Sequence, residues 1–177
     1  MGSGLRKLDC VFLTGLDATH AGGVSTISEH FQVSNFLTPS RSFSGESKFS
    51  FGPISKIEVL AAVRGKPLAF QVQEGKARAL YLTSLQAQVF SSLLEHPDLQ
   101  SDLVFLPHHD YGISRSEEIF LKQLHPSIII SNQQDGLEEL RVRLESIVPS
   151  KLLFIQNLGA VELRFLNGKW NWRNFKT

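Results

Sequence analysis

The apolar residues of this chain repeat with two periods, and each change of period marks a strand or a helix. Residues 8–14, Leu-Asp-Cys-Val-Phe-Leu-Thr, form an apolar run of strand length and predict a buried central strand. After Gly22 and Gly23, Val24, Ile27 and Phe31 recur at helical spacing, which predicts a helix over 24–31. A second short strand is expected over 33–38. Strand, loop, helix and strand in succession are the pattern of a sheet covered by helices. Residues 39–50 are rich in serine, with glycine and proline, and predict a loop. Three strands are expected next, over 56–63, 67–73 and 77–83, the last two joined by a hairpin-like Glu74-Gly75-Lys76.

The second half returns to alternation. A helix over 85–96 turns Val89, Leu93 and Leu94 inward. A buried strand over 102–107 leads to a helix over 114–125, opened by Ser114 as its cap with acidic residues in the first turn. A strand over 127–131 is followed by a helix over 135–148 striped by Leu137, Leu140, Leu144 and Val148. The last elements are a strand over 151–157 and a hairpin over 160–175 turning at Asn167–Gly168, a strong short-range hairpin signal. The fold class is therefore α/β, with mixed sheet inside and helices outside, and one domain over 1–177.

Composition narrows this little. The chain has 177 residues, 42% hydrophobic and 20% charged, enough to bury a core without cross-links. A net charge of +1 gives no global argument for nucleic acid or membrane, and leaves a local basic patch unlocated. The single cysteine, Cys10, excludes an intrachain disulfide and a cysteine-based zinc site. It reads as a small buried hydrophobe. No apolar run resembles a signal peptide or reaches membrane-spanning length. A soluble domain is expected, with no membrane insertion by this chain itself.

The chemistry concentrates in two loops that follow predicted strands, where ligand sites of such folds collect. The first, Phe12 to Gly23, carries Asp17, His20 and a Gly-Gly that permits close backbone approach. The second is Leu-Pro-His-His-Asp-Tyr-Gly-Ile-Ser, with His108 and His109 directly after the strand. Each has a bland reading. Asp17 suits a turn carboxylate bonded to its own loop amides. Adjacent histidines point different ways, so the pair needs partners from elsewhere to hold an ion. His30, His96 and His125 read as surface or helix-end residues. Trp170 and Trp172 read first as cross-strand packing and second as a base-stacking platform.

Together the loops resemble the metallo-β-lactamase-like domain at the C-terminal end of ComEC-type competence proteins, which take part in DNA uptake. In that family a strand ends in a pattern like T-H-x-D-x-D-H-x-G-G. Thr14, Gly15, Asp17, Thr19, His20, Gly22 and Gly23 stand at the matching places. A later P-H-H-G-S matches Pro107, His108, His109 and Asp110, with Ser114 opening the next helix. The stretch Phe120–Ser131 also looks like the family's helix, proline and strand. The resemblance implies a metallo-β-lactamase-like αββα sandwich lacking the family's first N-terminal strands. It implies an open edge or exposed apolar surface in their place, and both loops at one edge.

Several ligand positions depart from the family pattern. Gly15 stands for a histidine and Thr19 for an aspartate. Ser84–Leu85 stands where the family has Gly-Asp, and Asn-Gln-Gln-Asp-Gly follows the strand that usually precedes a histidine. The resemblance leaves Asp17, His20, His108 and His109 as metal ligands, with Asp110 as an unusual addition. That set suits one weakly bound divalent ion, zinc or manganese, rather than a pair. The expected function is a degenerate domain impaired in metal-dependent hydrolysis. The alternative is an active phosphodiester hydrolase with a reduced ligand set. The implied partners are DNA or an upstream membrane-embedded competence domain, which would tether the soluble domain to a bacterial membrane.

Overall fold

The computed structural model describes residues 7–8, 11–13, 21–37, 47–51, 55–63, 66–96, 99–109, 112–133, 135–158 and 160–175. Its centre is a seven-stranded mixed sheet. Strands β5 (Ser47–Phe51), β6 (Ser55–Val63), β7 (Lys66–Glu74) and β8 (Ala77–Leu82) pair antiparallel in sequence order. Strands β9 (Leu103–Leu106), β10 (Ile128–Ser131) and β11 (Lys151–Phe154) continue from β8 in parallel. The parallel steps are bridged by helices α2 (Ala87–Leu94), α3 (Arg115–Leu124) and α4 (Leu137–Ile147).

Alternation along the strands sends side chains to two faces. One face sets Leu80, Val104, Leu106, Ile129 and Phe154 against Phe90, Leu93, Phe120, Leu121, Leu140 and Leu144 of the helices. The other sets Ala79, Leu103, Ile128, Ile130 and Leu153 against Val161, Leu163 and Trp170 of a terminal hairpin. That hairpin is β12 (Ala160–Leu166) and β13 (Lys169–Phe175). Its turn holds Asn167 and Gly168 at φ 53° and 76°, both left-handed as an Asn-Gly turn requires. Burial on both faces explains why β9 and β10 read as continuous apolar runs. Layers of helix, sheet, second sheet strands and a Tyr81-centred aromatic ladder follow from it. Phe70, Tyr81 and Phe105 stack across three neighbouring strands, with centroids 4.9 and 4.0 Å apart.

The helices match their expected stripes, with differences at the edges. Ser114 caps α3 by accepting from the Glu117 amide at 3.2 Å. In α2 the fully buried residues are Val89, Phe90 and Leu93, while Leu94 is half-buried. All three expected residues pack in the core, and Phe90 joins them, meeting Phe120 at 5.4 Å. The expected strand over 151–157 ends at Phe154 and turns into a one-turn helix α5 (Ile155–Leu158), which carries the chain over to the hairpin. The expected loop over 39–50 gives way at Ser47 to edge strand β5, whose backbone pairs with β6. Edge strands tolerate serine and lysine, so composition concealed it.

The N-terminal expectation is met in pattern and not in place. β1 (Lys7–Leu8) pairs in parallel with β3 (Gln32–Val33), and β2 (Val11–Phe12) with β4 (Phe36–Leu37), with α1 (Val24–His30) between. These are two-stranded pieces, not a central strand of the seven-stranded sheet. Helix α1 buries no residue fully; Val24, Ile27 and Phe31 are half-buried on the expected face. Within the expected strand over 8–14, the described residues Leu8, Val11 and Phe12 pair locally with β3 and β4; residues 9, 10 and 14 lie outside the described residues.

Candidate metal centre

The parallel register sets Leu106 of β9 beside Ser131 of β10, so the segments leaving both strands lie together at their C-terminal ends. Pro107, His108 and His109 leave β9; Asn132 and Gln133 leave β10. The two histidines separate, as adjacent residues in extended chain do. His108 is exposed, whereas His109 is only 5% exposed.

Two side chains hold His109, and a third braces one of them. The buried Gln133 acts as a short piece of backbone. Its Oε1 accepts from the His109 amide at 2.7 Å and its Nε2 donates to the His109 carbonyl at 3.1 Å. Ser131 fixes Gln133 in turn, its Oγ accepting from the Gln133 amide at 3.1 Å. Glu117, in the first turn of α3 and 1% exposed, lies 2.7 Å from His109 Nε2 through Oε1. Ser114 and Glu117 have the spacing of a capping box. Here the glutamate faces inward with Phe120 and Leu121 and takes the imidazole. The other ring nitrogen, Nδ1, is buried and has no hydrogen-bond partner among the described residues.

His108 and His109 also line a cleft of about 1000 Å³ between this loop and α4, with Gln133, Asp135, Glu139 and Arg143. Glu138 pairs with Arg141 at 3.3 Å, and Arg143 reaches Glu118 at 3.6 Å. Lys122 bonds Glu118 at 2.7 Å and holds its carboxyl below the usual range.

The opposite end of the strands has a different surface. There a cleft of about 510 Å³ is lined by Lys76, Asp102, Lys151, Lys169, Trp170 and Trp172 among others. Lys151 Nζ sits 5.5 Å from the Trp172 ring. Trp170 packs edge-on against Phe165 at 5.2 Å, its registered cross-strand neighbour. Cross-strand packing is therefore what Trp170 does. The local basic patch that net charge left unlocated lies here.

Of the four candidate ligands, Asp17 and His20 fall outside the described residues, as does Asp110. The structure describes His108 and His109, and only His109 is buried and oriented. Among the described residues no group of three or more His, Cys, Asp or Glu side chains is gathered to hold a metal. His109 has one ring nitrogen carboxylate-bonded, as metal-binding imidazoles commonly do, while the other is buried. The described donors alone do not complete a site. His30 lies in the last turn of α1, and His125 caps α3 in left-handed backbone at φ 48°. Sequence reading missed Glu117 and Gln133. The available signal was an acid on the apolar face of α3.

No family model matches the chain, and no curated protein matches it. Solved structures do. The chain is similar to a proposed metal-dependent hydrolase from Parabacteroides distasonis, with a TM-score of 0.63 and 15% identity over 84% of this chain and 77% of that one. It is also similar to the E377D mutant of the β-hydroxylase CmlA, with a TM-score of 0.59 and 11% identity over 84% of this chain and 43% of that one. Identities this low speak for the fold alone. Among the described residues no helix is long and apolar enough to cross a membrane. The chain has the mixed central sheet of the metallo-β-lactamase-like fold, an αββα sandwich.

Proposed function

We propose that this chain is a metallo-β-lactamase-fold domain with a degenerate metal centre, one that holds at most a single divalent ion weakly and hydrolyses little or nothing. The observation that carries the reading is Gln133. It stands after β10, where the resembled family has a histidine, and both ends of its amide are engaged on the His109 backbone. That position serves as a brace and not as a ligand. Gly15, Thr19 and Ser84–Leu85 remove further ligands in sequence. A metal, when bound, would polarise an oxygen and acidify a water. His109 is the described residue built to hold it, and His108 joins only by turning inward.

In its order and spacing of motifs the chain resembles the competence family, and this supports a supporting role in a membrane-tethered DNA-uptake assembly. The lysine-lined end is the surface suited to a polyanion. The cleft beside His109, with Asp135 and Glu139 on its wall, is not. The second reading, an active phosphodiester hydrolase on a reduced ligand set, is favoured by one observation, the unpartnered His109 Nδ1.

Calorimetric titration of the protein with zinc and with manganese, beside a DNA-cleavage assay, tests the proposal. The expected result is no more than one weak site and no cleavage. Stoichiometric binding of two ions, with cleavage abolished by His109→Ala, would replace it with the second reading.

A further inference from the structure

We infer that the cleft at the N-terminal ends of the parallel strands is a binding site for a nucleoside phosphate, its lysines taking the phosphate and the Trp172 ring taking the base. The inference rests on the reading of this end as a surface for polyanions, names the unit it recognises, and is independent of the metal centre.

The cleft is assembled from a turn and strand starts. Lys76 comes from the turn between β7 and β8, Lys151 opens β11, and Lys169 opens β13. All three are exposed, and among the described residues none of their ammonium groups lies in an ion pair. Lys122 and Arg143 by contrast share Glu118, and Arg164 and Arg173 share Glu162. Against the three ammonium groups the described lining sets one carboxylate, Asp102. Like charges around one concave surface focus their field on a counter-anion.

Charge alone would take any anion, and the tryptophans narrow the class. Alternation along β13 sets Trp170 and Trp172 on one face of the hairpin. Trp170 packs on the sheet with Ile128 and forms the floor. Trp172 is 37% exposed, with Lys151 Nζ 5.5 Å from its ring centroid. An indole left accessible in a basic cleft offers a π-face, on which any base can stack. Cation and ring lie within the span of one nucleotide, in which a sugar alone separates base from phosphate. Asp102 counts against a bare inorganic anion and offers an acceptor to sugar hydroxyls. The volume of about 510 Å³ suits a small-molecule site rather than an extended groove.

The test titrates the full chain with adenosine monophosphate, adenosine, inorganic phosphate and a short oligoadenylate. Calorimetry reads affinity, and the indole ¹H–¹⁵N signals read the site, Trp172 being assigned by its loss in Trp172→Phe. The monophosphate is expected to shift the Trp172 signal and to bind about 5–100-fold more tightly than phosphate, the range of one stacked base. Trp172→Ala, with folding checked by circular dichroism, should lose that margin and leave phosphate binding unchanged. Lys76→Gln and Lys169→Gln should each weaken the monophosphate about two- to fivefold and leave adenosine unchanged. The wild-type titrations carry the test without any variant. Phosphate binding as tight as the monophosphate, or a monophosphate complex that leaves the Trp172 signal in place, overturns the inference. Oligoadenylate binding without monophosphate binding overturns it and spares the polyanion reading, whereas no binding by either overturns both. When both bind at Trp172 the inference stands: tighter oligoadenylate binding assigns the site to one unit of a strand, and equal or weaker binding to a free nucleotide.

Discussion

The two ends of the parallel strands are built by opposite means. At the C-terminal end, His109 is buried, Glu117 and Gln133 reach it from α3 and the exit of β10, and Ser131 holds Gln133. At the N-terminal end, Lys76, Lys151 and Lys169 are exposed around a cleft whose apolar floor includes Ile128 and Trp170. The first end depends on specific short hydrogen bonds, and the second on charge density. An arrangement of the first kind fails at a single substitution. One of the second kind weakens by increments, each lysine contributing a screened share.

The sharpest break of that contrast is at Glu117. Removing one partner of a buried, hydrogen-bonded pair leaves the other unpaired in low dielectric. Glu117→Ala should therefore cost on the order of 3–5 kcal/mol. His109→Ala should cost a comparable amount through its cavity and the stranded carboxylate, whereas the exposed His108→Ala should stay within about 0.5 kcal/mol. Urea unfolding measures all three. Equal and small effects for both histidines would mean that His109 is not held as described.

The tryptophans give the next largest difference. Trp170 packs under the hairpin against the sheet, and its truncation to alanine should cost about 2 kcal/mol, less than a fully buried tryptophan would. Trp172 is 37% exposed, and its loss should cost about 1 kcal/mol or less. Thermal melts of the two variants compare them directly. A Trp172→Ala melt as low as that of Trp170→Ala would show that the lysine end, too, is a packed structure.

The same contrast explains what the sequence disclosed. Elements buried on both faces were legible, because β9, β10 and the stripe of α4 carry periodicity strong enough to survive without context. Edge strand β5 was not, since an edge needs no apolar pattern. The described pieces of the run at 8–14 pair with β3 and β4 outside the seven-stranded sheet, because hydrophobicity sets burial and not which strand is the neighbour. At the candidate site, the His-His pair was visible as composition, and its division into one buried and one exposed ring followed from backbone geometry. Gln133 and Glu117 were invisible because their roles depend on contacts 24 and 8 residues away in sequence. The basic end was invisible because Lys76, Lys151 and Lys169 come from a turn and two strand starts far apart in the chain.

A third prediction concerns that basic end. If it meets single-stranded DNA, each lysine lost from a phosphate contact lowers the salt dependence of binding by about 0.7 in the log–log slope. Replacing Lys76, Lys151 and Lys169 together by alanine should reduce the slope by about 2. Replacing Asp135 and Glu139 by their amides should leave it unchanged. Fluorescence anisotropy across a salt series reads both. A slope insensitive to the three lysines, or sensitive to the two acids, would move any polyanion contact to the His109 end.

The smallest effect lies in the slab between the two ends. Tyr81 is stacked between Phe70 and Phe105, and burial raises its phenol above the ordinary value of 10.0. Desolvation acts on the phenolate and not on the neutral phenol, so the folded state disfavours ionisation. The sign follows from linkage. With the folded value above the unfolded one, the unfolded chain loses its proton first. The stabilisation is therefore whole below about pH 10 and declines as pH rises through the folded value. The chain has two tyrosines, Tyr81 and Tyr111, so a Tyr111→Phe protein isolates the signal. Phenolate absorbance should then titrate with a midpoint above 10.0, and the midpoint should return to that value when the protein is unfolded in urea. The residue's partial exposure keeps the effect modest, and Tyr81→Phe should remove the alkaline decline while preserving the aromatic ladder. A folded-state midpoint at or below the unfolded one would mean that water reaches the phenol, and that the hairpin covers this part of the sheet less closely than the stacked rings imply.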